Sequence, residues 1–134
     1  MRILLDTHIA LWAIADTARL SDEVIKILEM ECNKVFYSVA SIWEVAIKHN
    51  IKPESMPISE EEFVVLCEKT GFIRLPIEAD HIFSLKTLVR SENAPKHNDP
   101  FDRILLAQAK FEDLNLLTHD SQFLYYKEKC VMNV

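Results

Sequence analysis

Short apolar runs alternate with helical patterns along the chain, and this alternation limits the possible folds more than any other feature. We predict a buried strand at residues 2–5, further strands at 35–37, 72–75 and 116–118, and an edge strand at 131–134. Strands that alternate with helices favour an α/β fold, in which a mostly parallel central sheet carries helices on both faces.

Local signals set the predicted helix boundaries. Ser21, Ser38 and Ser59 have the residue type and position of helix N-caps, and Gly71 follows a helical pattern as a stop signal. Pro100 suits the first position of a further helix that Asp99 caps. The predicted helices cover residues 7–15, 22–32, 39–50, 60–70, 79–89 and 100–113.

Composition narrows the class of protein. With 134 residues, 49% of them hydrophobic, the chain is expected to form a single domain over 1–134 with a substantial core. Its one glycine, Gly71, excludes the glycine-rich loops that bind nucleotide phosphates. Three scattered cysteines among apolar neighbours indicate buried, reduced thiols, and no apolar run is long enough to span a bilayer. We therefore expect a cytoplasmic protein without a membrane segment.

Four acidic residues stand where predicted elements begin or end. Asp6 and Asp120 follow strands, whereas Glu44 and Asp102 lie near the amino ends of helices. Ligands of parallel sheets gather beyond the carboxyl ends of the strands, so all four acids are expected at one edge. Each pair of converging carboxylates would repel by about 4 kcal/mol at ~4 Å and an effective dielectric constant of ~20. A hard cation such as Mg²⁺ or Mn²⁺ removes that repulsion, and the four acids are our predicted catalytic and metal-binding set.

The net charge of −6 by itself argues against nucleic-acid binding, since such domains are usually basic. The four acids supply much of that charge, and a bound cation locally reverses the sign that a phosphate meets. Five scattered basic residues have two interpretations: they line a path for RNA, or they form ordinary solvated surface. They are Lys48, Lys52, Lys86, Arg90 and Lys96.

Each candidate residue also has a purely structural interpretation. Asp99 is favoured as a helix cap, with a supporting role beside the metal left open. Asp6 can cap a helix, Asp102 can be an ordinary first-turn acid, and Asp120 can close a turn. Apolar neighbours argue against a solvated Glu44.

Residues beside the acids are also open to two interpretations. Thr118 either orients Asp120 or a metal-bound water, or merely ends a strand. Arg103 either forms a structural ion pair, which we favour, or contacts phosphate. The histidines at positions 8, 97 and 119 are expected to be polar loop or cap residues. Trp12 and Trp43 are expected in the core, with a partner-binding patch as the alternative.

Taken in order, the motifs resemble those of PIN-domain ribonucleases of the VapC toxin type, and the resemblance covers nearly the whole chain. The matching segments are Leu5-Asp6-Thr7-His8, Ser38-x-x-Ser41-x-Trp43-Glu44 with Ala46-Ile47-Lys48 behind it, Asp99-Pro100-Phe101-Asp102-Arg103 leading into Leu105-Leu106-Ala107-Gln108-Ala109, and Thr118-x-Asp120.

The resemblance implies a three-layer PIN-like fold and an endoribonuclease that hydrolyses RNA with Mg²⁺ or Mn²⁺. Carried over by position, Asp6, Glu44, Asp102 and Asp120 are its acidic set. It further implies a homodimer and a cognate antitoxin, VapB-like or similar, that holds the enzyme inactive.

Three other functions compete with this one. The same scaffold suits a housekeeping or DNA-directed PIN-type nuclease, because an acid cluster does not choose the sugar. A receiver-like phosphorylation switch would need paired acids after the first strand, but Thr7 and His8 follow Asp6, and no lysine follows Thr118. A catalytically inactive nucleic-acid-binding module ranks low because all four acids are present.

Overall fold

Five parallel strands form the central sheet of the computed structural model, which describes all 134 residues. The strands are β1 (Arg2–Leu5), β2 (Lys34–Ser38), β3 (Ile73–Leu75), β4 (Asn115–Thr118) and β5 (Val131–Asn133). They are arranged in the order β3-β2-β1-β4-β5, and every neighbouring pair is parallel. The predicted sheet is thereby confirmed, with β1 at its centre.

Six helices connect the strands. They are α1 (Thr7–Ala15), α2 (Asp22–Glu29), α3 (Val39–Ile51), α4 (Glu60–Thr70), α5 (Ala79–Ser84) and α6 (Pro100–Glu112). Short 3₁₀ turns cover Thr17–Arg19, Leu85–Thr87 and Ser121–Tyr125. The predicted caps form: the hydroxyls of Ser21, Ser38 and Ser59 accept backbone N–H bonds in the first turns of α2, α3 and α4. Gly71 ends α4 with φ of 93°, a conformation that glycine adopts without strain.

Two predicted helices are too long. Helix α2 ends at Glu29 rather than at residue 32, and the side chain of Asn33 satisfies the free carbonyl of Ile27 at 2.8 Å. Helix α5 ends at Ser84 rather than at residue 89. The chain continues as a 3₁₀ turn over Leu85–Thr87 and is extended by Arg90, which forms an antiparallel bridge with Tyr126.

Alternate strand residues point to opposite faces of the sheet, where they form two separate cores. Ile3, Leu5 and Leu117 belong to the core that α1, α2, α3 and α4 cover. Leu4 and Leu116 belong to the core that α6 covers, and α5 packs on α6. The arrangement is the predicted three-layer α/β fold, with helices on both faces.

Two expectations about burial are wrong. Trp43 is 59% exposed and packs edge-to-face on Phe101, with ring centroids 5.1 Å apart. Cys32 is exposed, whereas Cys67 is buried and Cys130 half-buried, and all three thiols are free. None of the helices combines the length and apolar character that crossing a bilayer requires.

Candidate active site

The four predicted acids lie at the carboxyl edge of the sheet. Asp6 directly follows β1, and its backbone N–H donates to the Leu117 carbonyl of β4 at 3.0 Å. Asp120 lies two residues beyond β4. Glu44 is in the second turn of α3, which follows β2 directly, and Asp102 is in the first turn of α6. The topology thus brings three neighbouring strand ends and one helix start to the same place.

Asp6 is almost completely buried and is oriented by Thr118. The Thr118 hydroxyl accepts a hydrogen bond from the Asp120 backbone N–H at 3.0 Å and donates its own proton to Asp6 Oδ2 at 2.7 Å. Burial raises the pKa of Asp6, and the hydrogen bond from Thr118 and the charge of His8 oppose that shift. Thr118 therefore orients Asp6, whereas the sequence had linked it to Asp120.

Glu44 is buried, with one oxygen paired and the other free. Its Oε2 accepts a hydrogen bond from Lys48 Nζ at 2.6 Å. Its Oε1 is buried and has no hydrogen-bond partner. A buried carboxylate oxygen without a partner costs free energy, and a cation ligated by that atom would remove the cost.

Asp102 is held by His97, which lies in the loop before α6. Nε2 of His97 is 3.0 Å from Asp102 Oδ2, and its Nδ1 is 2.8 Å from the Tyr126 hydroxyl. Burial lowers the pKa of His97, and the charge of Arg90 lowers it further. The neutral ring then donates through Nε2 and accepts from Tyr126 through Nδ1.

The pKa of Asp102 shows that the acids act on one another. Burial raises it, and the charges of four other acids raise it further, to about 8; those acids are Asp6, Asp99, Asp120 and Glu44. The carboxyl is therefore close enough to every predicted ligand to respond to its charge. A divalent cation in their midst would reverse the sign of this effect and ionise Asp102.

Two of the acids also serve as caps. Oδ1 of Asp99 accepts from the backbone N–H groups of Phe101 and Asp102, at 2.9 and 3.1 Å. Oδ1 of Asp120 accepts from the Gln122 N–H at 2.9 Å and opens the last 3₁₀ turn. Capping occupies one oxygen of each carboxylate.

Buried polar contacts join the helices that carry the acids. The hydroxyls of Thr7 and Ser41 are 2.8 Å apart and connect α1 to α3. Ser38, beside the start of α3, donates to the Gln108 side chain of α6. Gln108 in turn donates to the Pro76 carbonyl at 3.2 Å. These contacts fix the relative positions of Glu44 and Asp102.

Sequence reasoning missed part of this arrangement. Lys48 was detectable as a partner of Glu44, because residues four apart on a helix are neighbours. His97 and Gln108 carry no local signal of their contacts. Arg103 was wrongly expected in an ion pair: it donates to the Leu85 carbonyl at 3.4 Å and forms no salt bridge.

The chemistry of the donor set suits a hard divalent cation. All four predicted ligands offer carboxylate oxygen, the ligand type that Mg²⁺ and Mn²⁺ prefer, and Glu44 Oε1 needs a partner. No three histidine, cysteine or acidic side chains stand at the spacing of a preformed metal cluster. Small rotations of the carboxylates, which repel one another, would be needed to close the site.

Comparison with known proteins matches nearly the whole chain to one family. The PIN domain family matches residues 3–129. No curated protein matches the chain significantly.

Three solved structures share the fold. A chain in the crystal structure of VapBC2 from Rickettsia felis, bound to a DNA fragment from their promoter, has a TM-score of 0.73 and 18% identity, covering 100% of this chain and 99% of that one. A chain of VapBC-1 from nontypeable Haemophilus influenzae has a TM-score of 0.61 and 14% identity, and the match covers 93% of this chain and 92% of that one. A chain of FitAcB from Neisseria gonorrhoeae has a TM-score of 0.54 and 20% identity, and the match covers 92% of this chain and 91% of that one.

Proposed function

The chain belongs to the PIN domain family, and from that premise we propose that it is a Mg²⁺- or Mn²⁺-dependent endoribonuclease of the VapC toxin type. In this proposal Asp6, Glu44, Asp102 and Asp120 form the metal-binding and catalytic set. Thr118 orients Asp6, and Asp99 supports the site as the cap of α6.

The observation that carries the proposal is the electrostatic convergence of the acids on Asp102. Its pKa of about 8 arises from burial and from the charges of the other acids. A fold that only needed stability would not place the buried Asp102 within range of four other carboxylates, because the arrangement is unfavourable without a counterion. A binding site for a divalent cation accounts for it.

The residues then have separate tasks. A bound divalent ion would lower the pKa of a water molecule and neutralise the charge that grows on the phosphate. Asp6 and Asp102 would hold the ion through oxygens that Thr118 and His97 keep oriented. Glu44, fixed by Lys48 on Oε2, would use Oε1 to ligate the ion or to orient the attacking water.

We also propose that a cognate antitoxin inhibits the enzyme and that the enzyme is a homodimer. The resemblance to VapC toxins and the fold shared with chains of VapBC2, VapBC-1 and FitAcB support this proposal. Trp43, Ile47 and Ile51 on α3 give a protein partner exposed apolar surface.

The test is cleavage of RNA and DNA oligonucleotides of identical sequence by protein purified free of any partner. We expect RNA cleavage with Mg²⁺ or Mn²⁺, none with EDTA, and slower or no cleavage of DNA. Products should lack a 2′,3′-cyclic phosphate, because water rather than the 2′-hydroxyl attacks. Equal cleavage of both substrates would support the DNA-directed alternative, and metal-independent cleavage would overturn the proposal.

A further inference from the structure

A basic cavity opens beside the acidic site. It has a volume of about 330 Å³ and is lined by His8, Lys48, Ile51, Lys52, Ser55 and Met56. No acidic residue is in the lining, although the chain as a whole carries a net charge of −6. The cavity shares Lys48 with the acidic site, because Lys48 also binds Glu44 at 2.6 Å. Its position therefore makes it an extension of the acidic site along the carboxyl half of α3.

The far wall of the cavity is a folded turn. The Lys52 carbonyl accepts from the backbone N–H groups of Ser55 and Met56, at 3.0 and 3.1 Å. A ring nitrogen of His49 lies 2.7 Å from the Met56 carbonyl and ties the turn back to α3. The backbone that carries Lys52 and Ser55 is thus held in place before any ligand arrives, which lowers the entropic cost of binding.

Two basic side chains of the cavity are free of salt bridges. Lys52 and His8 form none, whereas Lys48 pairs with Glu44, and Ser55 also lines the cavity. Lysine is a flexible point charge that suits phosphate, and a serine hydroxyl donates readily to a phosphate oxygen. The volume is at the small end of the range for ligand pockets, which suits one ribose–phosphate unit better than a larger ligand.

We propose that this cavity binds the backbone phosphate of a nucleotide that flanks the scissile bond, with Lys52 as its principal cation and Lys48 shared with Glu44. The RNA strand would then run from the acids along the carboxyl half of α3. This inference rests on the proposed nuclease function. It adds the path that the bound RNA strand follows away from the acids.

Charge reversal at Lys52 tests the proposal. Lys52→Glu and Lys52→Ala are made in an Asp6→Asn background, so that binding of a fluorescein-labelled single-stranded RNA is measured by anisotropy without cleavage. Lys69→Glu is the matched control, since Lys69 is also an exposed lysine at the carboxyl end of a helix and α4 ends at the opposite edge of the sheet. Thermal unfolding verifies that each variant is folded.

We expect Lys52→Glu to weaken RNA binding at least tenfold and Lys52→Ala severalfold, with Lys69→Glu close to the parent. The slope of log affinity against log salt should become shallower by about 0.7 in Lys52→Ala, since one fewer phosphate is neutralised. Equal weakening by Lys52→Glu and Lys69→Glu, unchanged affinity in Lys52→Glu, or no RNA binding by the parent would each overturn the proposal.

Cleavage by protein with the native Asp6 separates this inference from the proposed function. If that protein cleaves RNA and Lys52→Glu leaves KM unchanged, the phosphate subsite is wrong and the nuclease stands. If that protein does not cleave RNA but Lys52→Glu selectively loses binding, the cavity binds RNA phosphate, whereas the nuclease function and the position of the cavity beside a scissile bond are wrong.

Discussion

The hydroxyl of Thr118 donates a 2.7 Å hydrogen bond to Oδ2 of Asp6 and so joins the carboxyl ends of β1 and β4. The Thr118 hydroxyl oxygen also accepts a hydrogen bond from the Asp120 backbone N–H. The hydroxyl proton therefore points toward Asp6. One threonine thereby orients a buried acid and fixes the backbone of a second acid.

Replacing Thr118 by valine should weaken metal binding while the fold is kept. Valine preserves the shape but removes both hydrogen bonds, so Asp6 loses its fixed orientation. Removing such supporting hydrogen bonds typically costs about 10- to 100-fold in metal affinity or activity. Mn²⁺ affinity measured by calorimetry and the cleavage rate should both fall, and Thr118→Ser should restore most of each. Unchanged affinity in Thr118→Val would show that the hydrogen bond is only structural.

Removal of the His97 hydrogen bonds should also weaken metal binding, because Asp102 would lose its fixed orientation. His97→Phe keeps an aromatic ring in the loop but eliminates the bonds to Asp102 and Tyr126. We expect about tenfold weaker Mn²⁺ binding, and a smaller decrease for Tyr126→Phe, which removes only the outer hydrogen bond. Equal affinities in the native protein and both variants would contradict this role for His97.

The contribution of Asp102 to the stability of the metal-free protein should fall as the pH rises from about 4 to about 8. The pKa of Asp102 is raised from 3.8 to about 8 on folding, so over this interval the folded state binds more protons than the unfolded state. The favourable contribution is present at low pH and is lost as the carboxyl ionises. Denaturant titrations across this pH range, in EDTA, measure it.

Asp102→Asn should remove that dependence, because the amide does not titrate. After allowance for solvent screening, we expect the variant to exceed the native sequence by about 1–3 kcal/mol at pH 8 and to match it near pH 4. Mg²⁺ should stabilise the native sequence more than the variant. A stability difference between the two proteins that stays constant from pH 4 to pH 8 in EDTA would contradict the raised pKa.

The buried hydrogen bond between Thr7 and Ser41 should be measurable as a coupling energy. Thr7→Val leaves the Ser41 hydroxyl buried without a partner and should cost about 1–3 kcal/mol. A double-mutant cycle with Ser41→Ala should give a coupling near ~1 kcal/mol. Additive effects of the two substitutions would show that the 2.8 Å hydrogen bond contributes no energy.

Local rules predicted the strands because each contains a short apolar run, which is buried in β1 and β4, and they placed Asp6 and Asp120 at strand ends for the same reason. The serine caps and Gly71 followed from the conformations that those residues favour. The convergence of the acids at one edge of the sheet was predictable because parallel strands have their carboxyl ends on the same side.

Long-range pairing explains what local rules missed. The segment after α5 becomes extended at Arg90, which pairs with Tyr126 beyond β4, and no local signal announces that pairing. His97 reaches Asp102 only because the loop that carries it lies against the same distant segment. Trp43 is exposed although tryptophan is usually buried, because its face of α3 points away from both cores.

Binding of Mn²⁺ tests the central claim most directly. Electron paramagnetic resonance counts the free ion during titration of the native sequence, Asp6→Asn, Asp102→Asn and, as the matched control, Asp113→Asn. Asp113 is an acid at the far end of α6, in a left-handed conformation that asparagine also tolerates. We predict saturable binding by the native sequence and Asp113→Asn, and at least tenfold weaker binding by the other two. Equal affinity in all four proteins would contradict a metal site built from these acids.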